Sequence, residues 1–181
     1  FLTMVLEAMK ENRVLEITHR AFTVNEAKTY LVEPYCVKLS GGRWYMLARS
    51  VEKGRLLLYS FDRLEHVRTT EQKFELPRDF VAKDYFADFF GIVIDENVPL
   101  QRIVLRADKY HQYYMRTLPM HYSQRELFSC DDYADFELTL RPTYDFYMRL
   151  MSWGNMIKVL EPQSLQDELR KWLRKTMEVY E

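Results

Sequence analysis

The side chains that could bind a ligand are concentrated in the first 76 residues, where cations are interspersed with aromatic groups. Arginine offers a planar fork that matches phosphate oxygens, and tyrosine offers a ring on which a nucleic-acid base can stack. Histidine adds a group whose charge changes near neutral pH. The candidate ligand-binding residues are Arg13, His19, Tyr35, Tyr45, Arg49 and Arg63.

The densest part of this set is the segment 43–49, which follows a Gly-Gly turn signal. Successive side chains of a β-strand point to opposite faces, so Trp44 and Met46 share one face while Tyr45 and Arg49 share the other. We therefore expect Trp44 and Met46 to pack in a core. Tyr45 and Arg49 are then the residues available to a ligand.

Two of the other candidates have alternative interpretations. Arg63 follows Asp62, and the two either form an ion pair that fixes a turn or leave the arginine to a ligand. Tyr35 follows Pro34, which cannot donate to a β-ladder and indicates a sheet edge or a bulge. Tyr35 and Tyr30 are then either exposed for stacking or part of an aromatic core. Taken alone, each cation is typical of a solvated surface.

No motif of an enzyme or of a metal site is found in the sequence. There is no glycine-rich phosphate loop, no Gly-x-Ser-x-Gly and no His-Glu-x-x-His, and the four histidines lack ligand spacing with the two cysteines. We expect no enzymatic activity, no metal and no cofactor. The two distant cysteines favour a reduced, cytoplasmic protein. No apolar run approaches the roughly 18 residues of a membrane span, so no membrane partner is expected.

The elements that position the candidate residues are predicted to be one helix and five strands. Apolar residues at helical spacing predict a helix over 2–12, and short alternating segments predict strands from residue 14 to about residue 70. One helix followed by five short strands is typical of a small Sm-like or SH3-like β-barrel, here over 1–76.

The second half has a different pattern. A helical connector and linker is predicted over 77–99, with its helix ended by Gly91. From there the order β-α-β-β-α-β, with an extra C-terminal helix, predicts a ferredoxin-like domain over 100–181. The whole is an α+β protein that is mainly β in its first half.

The sequence pattern also predicts where two rows of large side chains in the second half pack. The run of Tyr110, Tyr113 and Tyr114 next to Met115 has helical spacing, and we expect it in the core. The last helix carries a second stripe, which either packs on the domain's own sheet or offers a dimer surface. Its members are Leu165, Leu169, Trp172 and Leu173.

The first half resembles the WYL domain of bacterial transcription regulators. The resemblance rests on residues 30–35, 41–49 and 61–64 in this order and spacing, with Met46 where the family has leucine. The second half resembles the C-terminal extension that follows such domains. Its matching motifs are His121-Tyr122-Ser123-Gln124, Gly154 after a Leu/Trp-rich helix, and Leu160-Glu161-Pro162. The resemblance implies an Sm-like barrel whose ligand groove receives an arginine, here Arg63, and a tyrosine where this chain has His19.

From the resemblance, we expect the effector-sensing and dimerisation region of a regulator that forms a homodimer. Its effector would be a single-stranded DNA or RNA or a nucleotide-like molecule, bound where Arg63, Arg49, Tyr45 and Arg13 converge on one groove. Duplex DNA would bind to a winged helix upstream of Phe1. The alternative is a scaffold that serves only dimerisation or a protein partner, and an enzyme is the least favoured class.

Overall fold

A computed structural model describes residues 1–22 and 25–181 of the chain, which form two compact units, Phe1–Ala82 and Lys83–Glu181. The first contains α1 (Leu2–Glu11), β1 (Arg13–His19), β2 (Lys28–Ser40), β3 (Arg43–Ser50), β4 (Leu56–Ser60) and β5 (Leu64–Lys73). Helix α2 (Ala82–Tyr85) begins at the division. The second contains β6 (Gln101–Asp108), α3 (His111–Thr117), β7 (Arg125–Ser129), β8 (Tyr133–Leu140), α4 (Tyr144–Ser152), β9 (Ile157–Glu161) and α5 (Gln163–Glu178).

The strands of the first unit form one antiparallel sheet in the order β4-β3-β2-β1-β5. Its two edge strands, β4 and β5, are joined by a single turn of 3₁₀ helix, Phe61–Arg63. A flat sheet would hold these edges about 19 Å apart, whereas this connection reaches at most about 14 Å when fully extended. The sheet must therefore curl until its edges approach, which is the geometry of the predicted small barrel.

The main core of the first unit lies between α1 and one face of the curled sheet. Val5 of α1 and Ile17 of β1 are fully buried in the same cluster as Met46 of β3. Met46 is thus in the core, as predicted. Trp44 keeps 40 % of its surface exposed, because its pair with Leu39 is the second from the turn and lies at the rim of the sheet. The prediction that Trp44 packs in the core is wrong.

The second unit has a four-stranded antiparallel sheet in the order β7-β8-β6-β9. The chain order of these strands is second, third, first and fourth, which is the ferredoxin-like arrangement predicted from the sequence. Phe136 and Phe146 are almost fully buried in its core, and Leu165 at the start of α5 packs there as well. The predicted α+β fold class is confirmed.

The connector contains less helix than the sequence predicts. A helix up to Gly91 was expected, yet only Ala82–Tyr85 is helical. The residues after this helix are hydrogen-bonded to the β8–α4 region of the same unit. The Arg141 amide donates to the Asp88 carbonyl at 2.7 Å, and the Ile92 amide donates to the Asp145 carboxylate at 2.9 Å. A β-carbon on Gly91 would overlap the Asp145 carboxylate, so this glycine permits a close approach and does not end a helix.

The tyrosine run of α3 is exposed, contrary to the core position predicted for it. Tyr110, Tyr113 and Tyr114 each keep 60 % or more of their surface, while Met115 and Gln112 are buried. Helical spacing predicts that these side chains share a helix, but it does not say which face of a two-turn helix meets the sheet.

Within the part of the chain that the structure describes, no helix has both the length and the apolar character needed to cross a membrane. No group of three or more His, Cys, Asp or Glu side chains able to hold a metal ion occurs among the same residues. Cys36 and Cys130 are free thiols.

Candidate ligand-binding site

Arg63 occupies the last position of the short turn that joins the two sheet edges. Its guanidinium carbon lies 4.6 Å from the centre of the Phe22 ring, within the range of a cation–π contact. Its Nε atom is buried and has no hydrogen-bond partner, and the side chain has no ion pair, among residues 1–22 and 25–181. A half-buried cation that has no ion pair in the described structure is a ready site for an anion.

A cavity of about 420 Å³ opens beside Arg63. Its walls come from the end of β1 and the residues after it, and from the turn that leads into β5. The lining residues are Arg20, Ala21, Phe22, Asp62, Arg63, Leu64 and Glu65. Two cations and two carboxylates line this cavity. Arg20 is already bound to Glu65 at 2.6 Å, so Arg63 is the cation of this wall that has no ion pair among residues 1–22 and 25–181.

Asp62 does not pair with Arg63, so the ion-pair interpretation of this dipeptide is wrong. The Asp62 carboxylate accepts a hydrogen bond from the Ser60 hydroxyl and forms an ion pair with Arg43 at 3.1 Å. These contacts point the carboxylate back towards β3 and β4. The turn is therefore fixed without the Arg63 guanidinium.

His19 ends β1 directly opposite Leu64, the residue after Arg63. Its ring meets the edge of Tyr59 at 5.5 Å, and its Nε2 atom is buried without a partner in the described part of the chain. Burial, and then the positive charge of Arg63, lower the pKa of His19 below its ordinary value, while Asp62 opposes the shift. His19 is thus a neutral ring near neutral pH, electrostatically coupled to Arg63.

Tyr59 is a member of this site that was not predicted from the sequence. It is almost fully buried and lies next to both His19 and Tyr30, whose ring centre is 6.1 Å away. Burial raises the pKa of Tyr59 to about 12, with the Ser50 hydroxyl as the main opposing contact. The sequence signal that could have indicated Tyr59 is its position near the end of a predicted strand, two residues before Phe61 and the turn that carries Arg63. Phe22 was also missed, because an isolated phenylalanine carries no local sign of a site.

Arg49 and Tyr45 do not converge with Arg63. They alternate along β3 with Met46 and Ala48, which are buried in the main core. His19 lies on the core side of the sheet, because it is two residues beyond the core residue Ile17 on β1. Arg49 instead donates two hydrogen bonds to the Glu33 carboxylate, at 3.1 and 3.2 Å, on the opposite face. The predicted groove that joins these residues to Arg63 is not present in this arrangement.

Arg13 lies at the other end of β1. His19 lies six positions further along the strand, which is a distance of about 20 Å. Its guanidinium is bound to Glu11 at 2.7 Å and to Glu71 at 3.2 Å. Arg13 therefore forms ion pairs at the start of β1 and does not line the cavity beside Arg63.

Tyr35 is a core residue in this structure. It lies at a register shift of β2, between Pro34 and Cys36, and is 8 % exposed. Its ring stacks on Phe74 at 6.1 Å and meets Phe80 edge-on at 5.0 Å. Of the alternatives for this segment, the structure has a bulge at Tyr35. The Tyr35 ring is part of an aromatic core, in which its partners are Phe74 and Phe80.

Two domain families match the two units of the chain. The WYL domain matches residues 1–69, and the WCX domain matches residues 99–177. The chain is a WYL domain followed by a WCX domain. No curated protein matches the chain.

Two solved structures are similar to the chain, and the one with a TM-score above 0.5 shares its fold. Proteasome accessory factor B/C of Arthrobacter aurescens has 19 % identity and a TM-score of 0.45, over 93 % of this chain and 25 % of its own. A CRISPR Cas-related protein has 13 % identity and a TM-score of 0.52, over 97 % of this chain and 51 % of its own. The chain thus spans about a quarter and about half of the length of these proteins.

Proposed function

We propose that this WYL–WCX chain is the effector-sensing and dimerisation region of a bacterial transcription regulator. Its effector is an anion, either a short single-stranded DNA or RNA or a nucleotide-like molecule, and it binds beside Arg63. The two domain families support the regulatory role. We further propose that the chain acts as a homodimer and that a separate domain of the whole protein binds duplex DNA.

The observation that carries the proposal is the state of Arg63. Its buried Nε has no partner among the described residues, its guanidinium faces an aromatic ring, and a cavity of about 420 Å³ lies beside it. A phosphate oxygen would satisfy the unpaired N–H groups of Arg63, and a base could stack on Phe22. Ligand binding would control the regulator only if two arrangements of the dimer differ in affinity for the effector.

A second candidate function is a scaffold that binds no effector. It is favoured by the ion pairs of the first unit, where five arginines already contact carboxylates. These are Arg13, Arg20, Arg43, Arg49 and Arg68. Because paired arginines attract anions weakly, the sensor function depends on Arg63, which lines the cavity and has no ion pair among the described residues.

The test is a titration of fluorescently labelled single-stranded DNA into the full chain at several salt concentrations. Arg63→Ala should weaken binding by roughly ten- to a hundredfold, the cost of one charged hydrogen-bonded contact. Arg78→Ala is the matched control, since Arg78 is an exposed arginine of the same unit without an ion pair in the described structure, and it should bind as wild type. Affinity should fall as salt rises. Binding by neither DNA nor nucleotides at low salt would favour the scaffold.

A further inference from the structure

His19 and Arg63 are neighbouring side chains that each bury an unsatisfied nitrogen. The Nε2 atom of His19 and the Nε atom of Arg63 have no hydrogen-bond partner among residues 1–22 and 25–181. The pairing of β1 with β5 brings the two residues together, since His19 lies opposite Leu64 and the Arg20 amide donates to the Arg63 carbonyl at 3.0 Å. Because buried polar groups are normally hydrogen-bonded, two such nitrogens in one place require a partner from outside the chain.

Several of the groups that face His19 are neutral or positive. On β4, the Tyr59 ring meets the His19 ring edge-on at 5.5 Å, and burial raises the pKa of this phenol to about 12, so it carries no charge near neutral pH. Behind it, the Tyr30 ring of β2 lies 6.1 Å from Tyr59. Lys28 of β2 lies opposite His19 in the strand register, on the same side of the sheet. Arg63 adds a positive charge from the turn before β5.

The carboxylates of this region are bonded to other cations. Asp62 forms an ion pair with Arg43 at 3.1 Å, and Glu65 forms one with Arg20 at 2.6 Å. Neither of them pairs with His19 within the part of the chain that the structure describes. A proton on the His19 ring would therefore create a half-buried positive charge with no anion bonded to it, which is unfavourable.

An anion bound beside Arg63 changes this balance. In the free protein, burial and then the positive charge of Arg63 hold the pKa of His19 below its ordinary value. A bound phosphate group offsets the charge of Arg63 and adds a negative charge near the ring, so the pKa of His19 rises on binding. A complex that holds a proton more tightly than the free protein does must, by thermodynamic linkage, become tighter as the pH falls.

We propose that His19 couples the binding of the anionic effector at Arg63 to the uptake of a proton. This inference rests on the proposed function and states how the same site is regulated. The gain in affinity is complete below the pKa of His19 in the free protein, and it is lost as the pH rises through the higher pKa in the complex. The chain would thus respond to less effector under mildly acidic conditions than at pH 7.5.

The test uses the full chain and a short oligothymidylate without a terminal phosphate, whose charge is constant between pH 5.5 and 7.5. Isothermal titration calorimetry at constant ionic strength, in buffers of different ionisation enthalpy, gives both the affinity and the number of protons taken up. From pH 7.5 to 5.5, wild type should gain about five- to tenfold in affinity relative to His19→Tyr, whose phenol does not titrate in this range. At pH 6.5, wild type should also take up more protons per bound DNA than His19→Tyr does.

Two further variants complete the comparison. His19→Gln should lose the same pH dependence as His19→Tyr, so the result does not depend on the fold of one variant. His66→Gln is the matched control, because His66 is an exposed histidine of β5 in the same unit, and it should keep the pH dependence of wild type. Circular dichroism checks that each variant is folded at both pH values.

The outcomes separate this inference from the proposed function. If Arg63→Ala weakens DNA binding but wild type and both His19 variants have the same pH dependence, the coupling to His19 is wrong and the ligand site stands. The same conclusion follows if His66→Gln removes the pH dependence. If the DNA binds to wild type at neither pH, even at low salt, the proposed function fails and this inference fails with it.

Discussion

Truncation of Met46 tests how β3 is oriented within the sheet of the WYL domain. Met46 is fully buried and pairs with Val37 on one side and Tyr59 on the other. Met46→Ala removes buried apolar atoms and leaves a cavity between three strands. Substitutions of this kind cost about 2–5 kcal/mol, and we take about 3 kcal/mol as the expected value.

This cost is large for a unit of the size of Phe1–Ala82. In a domain of 60–100 residues, 1 kcal/mol lowers Tm by about 4–8 °C, so the expected loss is about 12–24 °C. The measurement is thermal unfolding followed by circular dichroism. Hydrogen exchange of residues 43–50 assigns the affected transition to the first unit.

Leu39→Ala is the control for this experiment. Leu39 has a side chain of similar size on the neighbouring strand β2 but is 55 % exposed, so its truncation should cost about 1 kcal/mol or less. If Met46→Ala lowers Tm no more than Leu39→Ala does, then Met46 is not in the core. The placement of Tyr45 and Arg49 on the opposite face would then also be wrong.

Three further predictions concern single side chains. Burial and Arg63 lower the pKa of His19, so the unfolded chain binds a proton at His19 more tightly than the folded chain does. Wild type should therefore lose stability relative to His19→Tyr as the pH falls below about 6.5. Urea unfolding at pH 7.5 and 5.5 checks this, and the same difference in unfolding free energy between the two proteins at both pH values would contradict it. Arg49→Ala should destabilise the chain by about 1–2 kcal/mol in urea unfolding, since it leaves the largely buried Glu33 carboxylate unpaired, yet DNA affinity should not change. Tyr113→Ser should change the unfolding free energy by less than about 0.5 kcal/mol, and a larger loss would return that ring to the core.

The strands were predictable from the sequence because their signals are local. Alternating side chains and glycine turns predict strands over about 29–38, 43–50 and 55–61, and the structure places β2, β3 and β4 within two residues of these bounds. The short length of the connector helix was not predictable, because hydrogen bonds of Asp88 and Asp145 to residues distant in sequence override the local helical pattern. The exposed face of α3 depends in the same way on which side meets the sheet.

The candidate site was predictable only in part. Arg63 and His19 come together through the pairing of β1 with β5, which no local pattern contains. The family resemblance implied an arginine in the ligand groove, here Arg63, but not this pairing. The separation of Arg49 from them was available in the sequence, because alternation places it opposite the buried Met46 and Ala48. Phe22 reaches Arg63 through a tertiary contact alone.

The most direct test of the account follows the Nε–H signal of Arg63 by ¹H–¹⁵N NMR of the full chain during titration with a short single-stranded DNA. Because this Nε is buried without a partner among the described residues, a bound phosphate should shift its resonance and slow its exchange with water. The signal of Arg49, already bonded to Glu33, should stay in place. Saturable DNA binding that leaves the Arg63 signal unchanged, or that moves the Arg49 signal instead, would contradict the assignment of the ligand site to Arg63.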